Sequence, residues 1–343
     1  MDSGGHDIPR QRPKTALALR TVGVRREAIP VLIADPFGSD APVQLSCAIE
    51  ARVGLDKKRR GIHVSRIGDL LAQLSGKLFP SVTDYAAELL ERLLRAQNSQ
   101  TGAVTVEGVL TYFERVSGVK EKGSLEHLTL HGHVSCSGGR TQASAGIGFN
   151  HITACPCVQE TYRHSFSSDS GSPRGRKLQL ITHTQRCRTR INLIDVKRYP
   201  TLPDLLGAID AVVIRSQNTL PREFELLNVY RSHAEPQFLE DVLRELLRAI
   251  YTVVRPLSSK GEIEISSVSM ESIHDFDLHG EIAFPLKELD KAFRHRAPDS
   301  SLNGKEHVRP EGSGLRVVAQ KAGRKNPGRL SQKKRSPQGH PSL

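Results

Sequence analysis

The feature that most constrains this chain is a repeated order of hydrophobic periods. Each half reads strand, strand, helix, helix, strand, strand. In the first half, VQLSCAIEARVGL (43–55) alternates with period two, and GIHVSRI (61–67) continues as an extended segment. A short helix is expected over roughly 66–76, then a longer one over 82–97. The second helix places Tyr85, Ala86, Leu89, Leu90, Leu93 and Leu94 on one face, with Ser81 as its N-cap. Strands follow at 103–116 and 125–136. The second half gives strands at 143–155 and 178–196 and helices at 202–214 and 236–254, with Pro236 expected in the first turn of the latter. Strands at 261–271 and 278–284 close it, and HSFSSDSGSPRGR (164–176) reads as a polar loop. Strands bunched around helix pairs predict an antiparallel α+β sheet, not βαβ units. One such layer leaves a sheet face uncovered, and a second copy that buried it would favour a closed oligomeric barrel.

Charge separates the body from its end. The chain of 343 residues carries a net +12, of which +9 lies in residues 294–343. That segment (…RKNPGRLSQKKRSPQGHPSL) is rich in Ser, Gly and Pro and reads as a disordered basic tail. Binding to nucleic acid or another acidic partner is therefore expected only through the tail. Residues 1–20 read as a flexible arm. No apolar run approaches the ~20 residues that span a bilayer, and no apolar core follows the N-terminal charges. A soluble cytoplasmic protein is expected, without membrane attachment. Five cysteines and no secretion signal argue against a disulfide framework.

Metal-ligand types concentrate in the second half: Cys155, Cys157, His183, Glu225, His274 and His279. A thiolate with imidazoles and a carboxylate suits Zn²⁺ or Fe²⁺. The same residues also read as free cysteines and surface histidines. His131 and His133 alternate on one strand, opposite the Leu128–Leu130 face, and read as ordinary strand residues. Glu240 falls at the edge of an apolar helix face, where it is either a ligand-binding carboxylate or a boundary residue. Arg59, Arg60, Arg66, Lys120 and Arg186 are phosphate candidates or a solvated basic face. No GxGxxG, P-loop or GxSxG motif is present.

Six segments in order carry a resemblance: RGIHVSR (60–66), SGVK (117–120), TACPCVQE (153–160), THTQR (182–186), PQFLEDVLR (236–244) and MESIHDFD (270–277). Over about residues 20–290 the chain resembles the GTP cyclohydrolases of type IB and the related archaeal type IV enzymes. The resemblance implies two tandem tunnelling-fold modules, 21–140 and 141–293, in a homo-oligomeric barrel, a dimer or tetramer. It implies opening of GTP at C8, release of formate and formation of a 7,8-dihydroneopterin phosphate, the first step of a pterin or folate-like pathway. The product would be the triphosphate, or the 2′,3′-cyclic phosphate of the archaeal type, which the long segment between C-P-C and H-x-Q-R resembles.

By this resemblance Cys155, His183, Glu225 and His274 would hold a divalent metal, Fe²⁺ or Zn²⁺ with Mn²⁺ as a further option. Glu225 is assigned from its fifteen-residue spacing to Glu240, which would bind guanine. His63, Arg66, Lys120 and Arg186 would hold phosphate, and Cys157 or His279 would move protons. Phe276 stands where relatives often carry the second His of E-S-I-H-x-H. That departure leaves room for a relative acting on another purine or pterin. A non-catalytic protein that binds nucleic acid through its tail is the reading from a different class.

Overall fold

The structure is a computed structural model that describes residues 7–115, 123–167 and 181–294. The tail 294–343, apart from Arg294, and Lys120 lie outside the described residues, as does most of the 164–176 segment.

The first half comprises β1 (Leu19–Ile33), β2 (Val43–Leu55), α1 (Val64–Leu74), the short β3 (Leu78–Phe79), α2 (Val82–Gln97), β4 (Gly102–Arg115) and β5 (Gly123–Ser137). The second comprises β6 (Arg140–Ala154), α3 (Pro156–Ser167), β7 (Thr184–Ile194), α4 (Leu202–Asp210), the short β8 (Ile214–Arg215), α5 (Arg222–Ala234), α6 (Leu239–Val254), β9 (Glu262–Met270), β10 (Asp277–Pro285) and α7 (Leu286–Arg294). All pair into one sheet in the order β10-β9-β7-β6-β5-β4-β2-β1-β3, with β8 on β6. Every pairing is antiparallel except β1 with β3. The expected mixed α+β class with a large antiparallel sheet is what forms.

Period-two alternation sends one side of each strand into a common core. Val104, Val106 and Leu110 of β4, Leu128, Leu130 and Val134 of β5, and Ile191 and Leu193 of β7 are buried there. The amphipathic helices α2 and α6 lie on that side: α2 buries Tyr85, Ala86, Leu89, Leu90 and Leu93, and α6 buries seven residues from Leu239 to Val254. Ser81 caps α2 as expected, its hydroxyl accepting the Asp84 N–H at 3.2 Å. Two glycines permit close approach. A Cβ on Gly132 would lie 2.8 Å from the backbone of Val82 and Thr83, and one on Gly280 would lie 2.6 Å from Leu243. The other face carries Arg186, Arg188 and Arg190 of β7, all exposed. His131 and His133 point to that face, opposite Leu128 and Leu130.

Several expectations are corrected. Residues 64–67 open α1 instead of extending a strand. Pro236 lies two residues before Phe238, the N-cap of α6, so it precedes the helix. Of the strand expected over 178–196, residues 178–180 lie outside the described residues and 181–183 precede the strand, which forms as Thr184–Ile194, and the helix expected over 202–214 stops at Asp210. Residues 164–167 belong to α3, not a loop. Part of the 1–20 arm is ordered as a turn of 3-10 helix at Ile8–Arg10, whose Pro9 carbonyl accepts N–H bonds from Arg60 and Gly61. No helix among the described residues is long and apolar enough to cross a membrane.

Candidate active site

The C-P-C segment sits where β6 ends. Pro156 opens α3, a position that lacks an intrahelical N–H partner in any case. The Cys155 N–H donates to the His183 carbonyl at 3.1 Å, and Thr182 Oγ1 donates to the Cys155 carbonyl at 2.5 Å. These two bonds fix the residues ahead of β7 against the cysteine. His183 Nδ1 is 3.1 Å from Ser272 Oγ in the β9–β10 turn. That turn brings His274 alongside, its ring centroid 6.4 Å from that of His183 and nearly perpendicular to it. Phe276 stacks on His274 at 5.0 Å, with 9° between the planes.

A third element reaches this corner. Gln237 N–H donates to the Ala154 carbonyl at 3.1 Å, which sets the start of α6 beside Cys155. Glu240 lies in the first turn of α6 and is exposed, flanked by the buried Leu239 and Leu243. The predicted position at the edge of the apolar face is the one observed. Desolvation, and after it the neighbouring Cys155, pushes the Cys157 thiol up. It therefore keeps its proton at neutral pH. Behind the corner, Cys187 is fully buried, 3.5 Å from Thr153 Oγ1.

The remaining candidates are dispersed. Glu225 is exposed in the first turn of α5. His63 and Arg66 lie by the end of α2: the His63 N–H donates to Gln97 Oε1 at 3.0 Å and Arg66 Nη1 to the Ala96 carbonyl at 2.8 Å. His63 Nε2 is also 2.8 Å from Asp7 Oδ1. The end of α2 adjoins Gly102, which pairs with Cys136, which pairs with Thr141 near the start of β6. Cys155 follows the other end of that strand. At about 3.3 Å per residue, the separation is roughly 40 Å. These phosphate candidates and the cysteine corner of one chain do not meet. Arg186 and His279 open on the uncovered sheet face, opposite Met270 and Val268 respectively, and are exposed. His279 lines a cavity there of about 920 Å³ with Arg188, Arg190 and Glu281.

Among the described residues, no group of three or more His, Cys, Asp or Glu is gathered closely enough to hold a metal ion. The expected four-ligand set is therefore not assembled. In kind, the corner's thiols and two imidazoles suit a borderline-soft cation. Sequence reasoning missed Ser272, which orients His183, and Gln237, which ties α6 to β6. Ser272 lies inside the MESIHDFD segment, whereas the Gln237 contact is made by backbone and leaves no side-chain signal.

A family model described as type I GTP cyclohydrolase folE2 matches residues 6–280. The chain is similar to a protein named GTP cyclohydrolase MptA from Thermoplasma acidophilum, 27% identical over 299 residues, covering 84% of this chain and 98% of that protein. The corresponding protein of Thermoplasma volcanium is 24% identical over 290 residues, covering 83% and 97%. Among solved structures, a uricase from Arthrobacter globiformis aligns over 79% of this chain and 95% of its own with a TM-score of 0.42 and 10% identity.

Proposed function

The chain belongs to the type I GTP cyclohydrolase family, and from that premise we propose that it opens the imidazole ring of GTP at C8. Formate leaves and a 7,8-dihydroneopterin phosphate forms, as the first step of a pterin or folate-like pathway in the cytoplasm. The observation that carries this reading is the gathering of Cys155, His183, His274 and the first turn of α6 at one corner.

Each residue type suits a part of the reaction. The Glu240 carboxylate accepts the N1–H and 2-amino donors of guanine as a bidentate pair. His183, held by Ser272, and His274, stacked on Phe276, keep fixed orientations beside Cys155. A divalent ion held by Cys155, His183 and His274, with Glu225 from α5, would supply Lewis-acid activation of water near neutral pH. Fe²⁺, Zn²⁺ and Mn²⁺ all suit these donors in kind. Cys157, with its raised thiol, donates a proton to the ring nitrogen released as the imidazole opens. His279 faces the other side of the sheet, so proton transfer is assigned to Cys157.

The same reading includes two tandem tunnelling-fold modules, 21–140 and 141–293, in a homo-oligomer. Two observations support it. The sheet ends in open edges at β10 and β3, which a second copy would cover. The phosphate candidates His63 and Arg66 lie at the far end of the sheet, where only another subunit brings them to a cysteine corner. A second reading, action on another purine or pterin, is favoured by Phe276 in place of a histidine.

Anaerobic incubation with GTP and Fe²⁺, Mn²⁺ or Zn²⁺, followed by mass spectrometry, tests both. Formate with a dihydroneopterin triphosphate or cyclic phosphate is expected, and the phosphate form selects the product. GTP left intact with every metal, by folded and metal-loaded protein, sinks the cyclohydrolase reading and leaves the second.

A further inference from the structure

Helix α5 has little core of its own. Among its residues only Ser232 is buried, whereas Leu226, Leu227, Val229 and Tyr230 are exposed. A helix that buries so little apolar surface is not placed by the hydrophobic effect. Polar staples hold its two ends instead.

Upstream, the carboxylate of Glu126 on β5 is 4% exposed and accepts the Asn218 N–H at 3.1 and 3.3 Å. Ser124 Oγ accepts the Thr219 N–H at 2.9 Å, and the Asn218 side-chain amide donates to the Leu125 carbonyl. These bonds bind the segment before Pro221, the N-cap of α5, to the β4–β5 hairpin. Arg215 anchors the start of the same segment. Its guanidinium reaches Tyr112 OH at 2.8 Å, Glu114 Oε1 at 2.9 Å and Asp210 Oδ1 at 2.6 Å. Downstream, Gln159 of α3 is 1% exposed, and its Nε2 donates to the His233 carbonyl in the last turn of α5 at 2.6 Å. Helix α3 begins directly after Cys155. Thus α5 is slung between the β4–β5 hairpin and the cysteine segment.

A carboxylate and an amide buried to this degree are unfavourable unless their hydrogen bonds are kept. Both are used here on the backbone flanking one otherwise loosely packed helix. We propose that Glu126 and Gln159 are positioning residues that hold α5, the helix that carries Glu225, between the β4–β5 hairpin and the segment that follows Cys155. The inference rests on Glu225 belonging to the site proposed above. Neither residue touches substrate.

The test compares full-length wild-type protein with Glu126→Ala, Gln159→Ala and Glu126→Gln. It measures hydrogen exchange over residues 222–234, the melting temperature, and kcat and KM for formate release from GTP. In both alanine variants, α5 exchange is expected to rise about tenfold or more while α2 and α6 stay protected. The kcat is expected to fall about 10–100-fold, the range for residues that orient ligands from behind, with KM within about threefold. Glu126→Gln keeps an oxygen acceptor and is expected to recover most of kcat. Unchanged α5 exchange in both alanine variants overturns the proposal. So does exchange raised equally in every helix, and so does an unaltered kcat with α5 loosened. A wild-type protein that releases no formate refutes the proposed reaction, while the exchange result still decides whether these residues hold α5.

Discussion

His131 and His151 are buried as neutral imidazoles. His151 is fully buried, with Nε2 2.8 Å from Thr189 Oγ1, which is 2.7 Å from Ser267 Oγ. Burial lowers its pKa from 6.5 to about 4, against a contact with the Ile152 backbone that pulls the other way. His131 is also lowered to about 4, by burial and then by the Arg190 charge. Glu107 lies 3.4 Å from His131 Nδ1, but it is shared with Arg190 at the same distance, so burial prevails. The unfolded chain takes up both protons as pH falls through about 6.5, and the native protein does not until about pH 4. The stabilising contribution is therefore complete above pH 6.5 and is lost between there and 4, by about 3 kcal/mol per histidine. Urea melts at pH 7.5, 6 and 5 are expected to show this decline, with a smaller one in His131→Gln and His151→Gln. Equal stability at all three pH values in wild-type protein would contradict it. The segments that meet at the corner were legible in the sequence, because C-P-C, H-x-Q-R and E-S-I-H are local patterns. The sequence did not reveal that His63 and Arg66 lie at the far end of the sheet, because spacing along a chain carries no distance across a fold.

Helices reveal themselves in sequence to the extent that they bury a face. Helix α6 buries seven residues at helical spacing, and its pattern was plain. Helix α5 buries Ser232 alone, so its residues carry no period, and the helix went unseen although Glu225 stands on it. The start of α1 was missed for a related reason: Val64 and Ser65 are exposed, and the alternation of GIHVSRI imitates a strand. Glycine contacts are a second feature hidden from periodicity. Gly132 lets α2 lie against β5, and a Cβ there would meet backbone, which cannot turn aside as a side chain can. Gly132→Ala is therefore expected to destabilise by about 1–3 kcal/mol. Gly207 in α4 meets nothing within 4 Å, so Gly207→Ala is expected to be neutral or stabilising by up to about 1 kcal/mol. Thermal melts of the pair decide the matter: a Gly132→Ala protein as stable as wild type would show that α2 can shift on the sheet.

At the scale of the whole molecule, the two groups of candidate residues lie at opposite ends of one sheet. The corner of Cys155, His183, His274 and Glu240 offers thiol, imidazole and carboxylate. The far end offers His63 and Arg66, beside the half-buried Arg59, which donates to the Gln97 carbonyl, and the exposed Arg60. On the proposed function, a nucleotide that engages both kinds of group lies between two subunits, since roughly 40 Å of strand separates them within one. Subunits with a defect at one end should then rescue subunits with a defect at the other. Glu240→Ala and Arg66→Ala proteins are each expected to lose most formate release from GTP. Mixed by co-refolding in equal amounts, they should regain roughly a quarter of wild-type activity, because a subunit contact between the two variants pairs one intact corner with one intact far end about that often. Light scattering of the mixture should report an oligomer. Recovery near zero from a mixture shown to contain both chains in one particle would mean that each site is complete within its own subunit, and the phosphate groups would then have to be sought among Arg186 and its neighbours on β7.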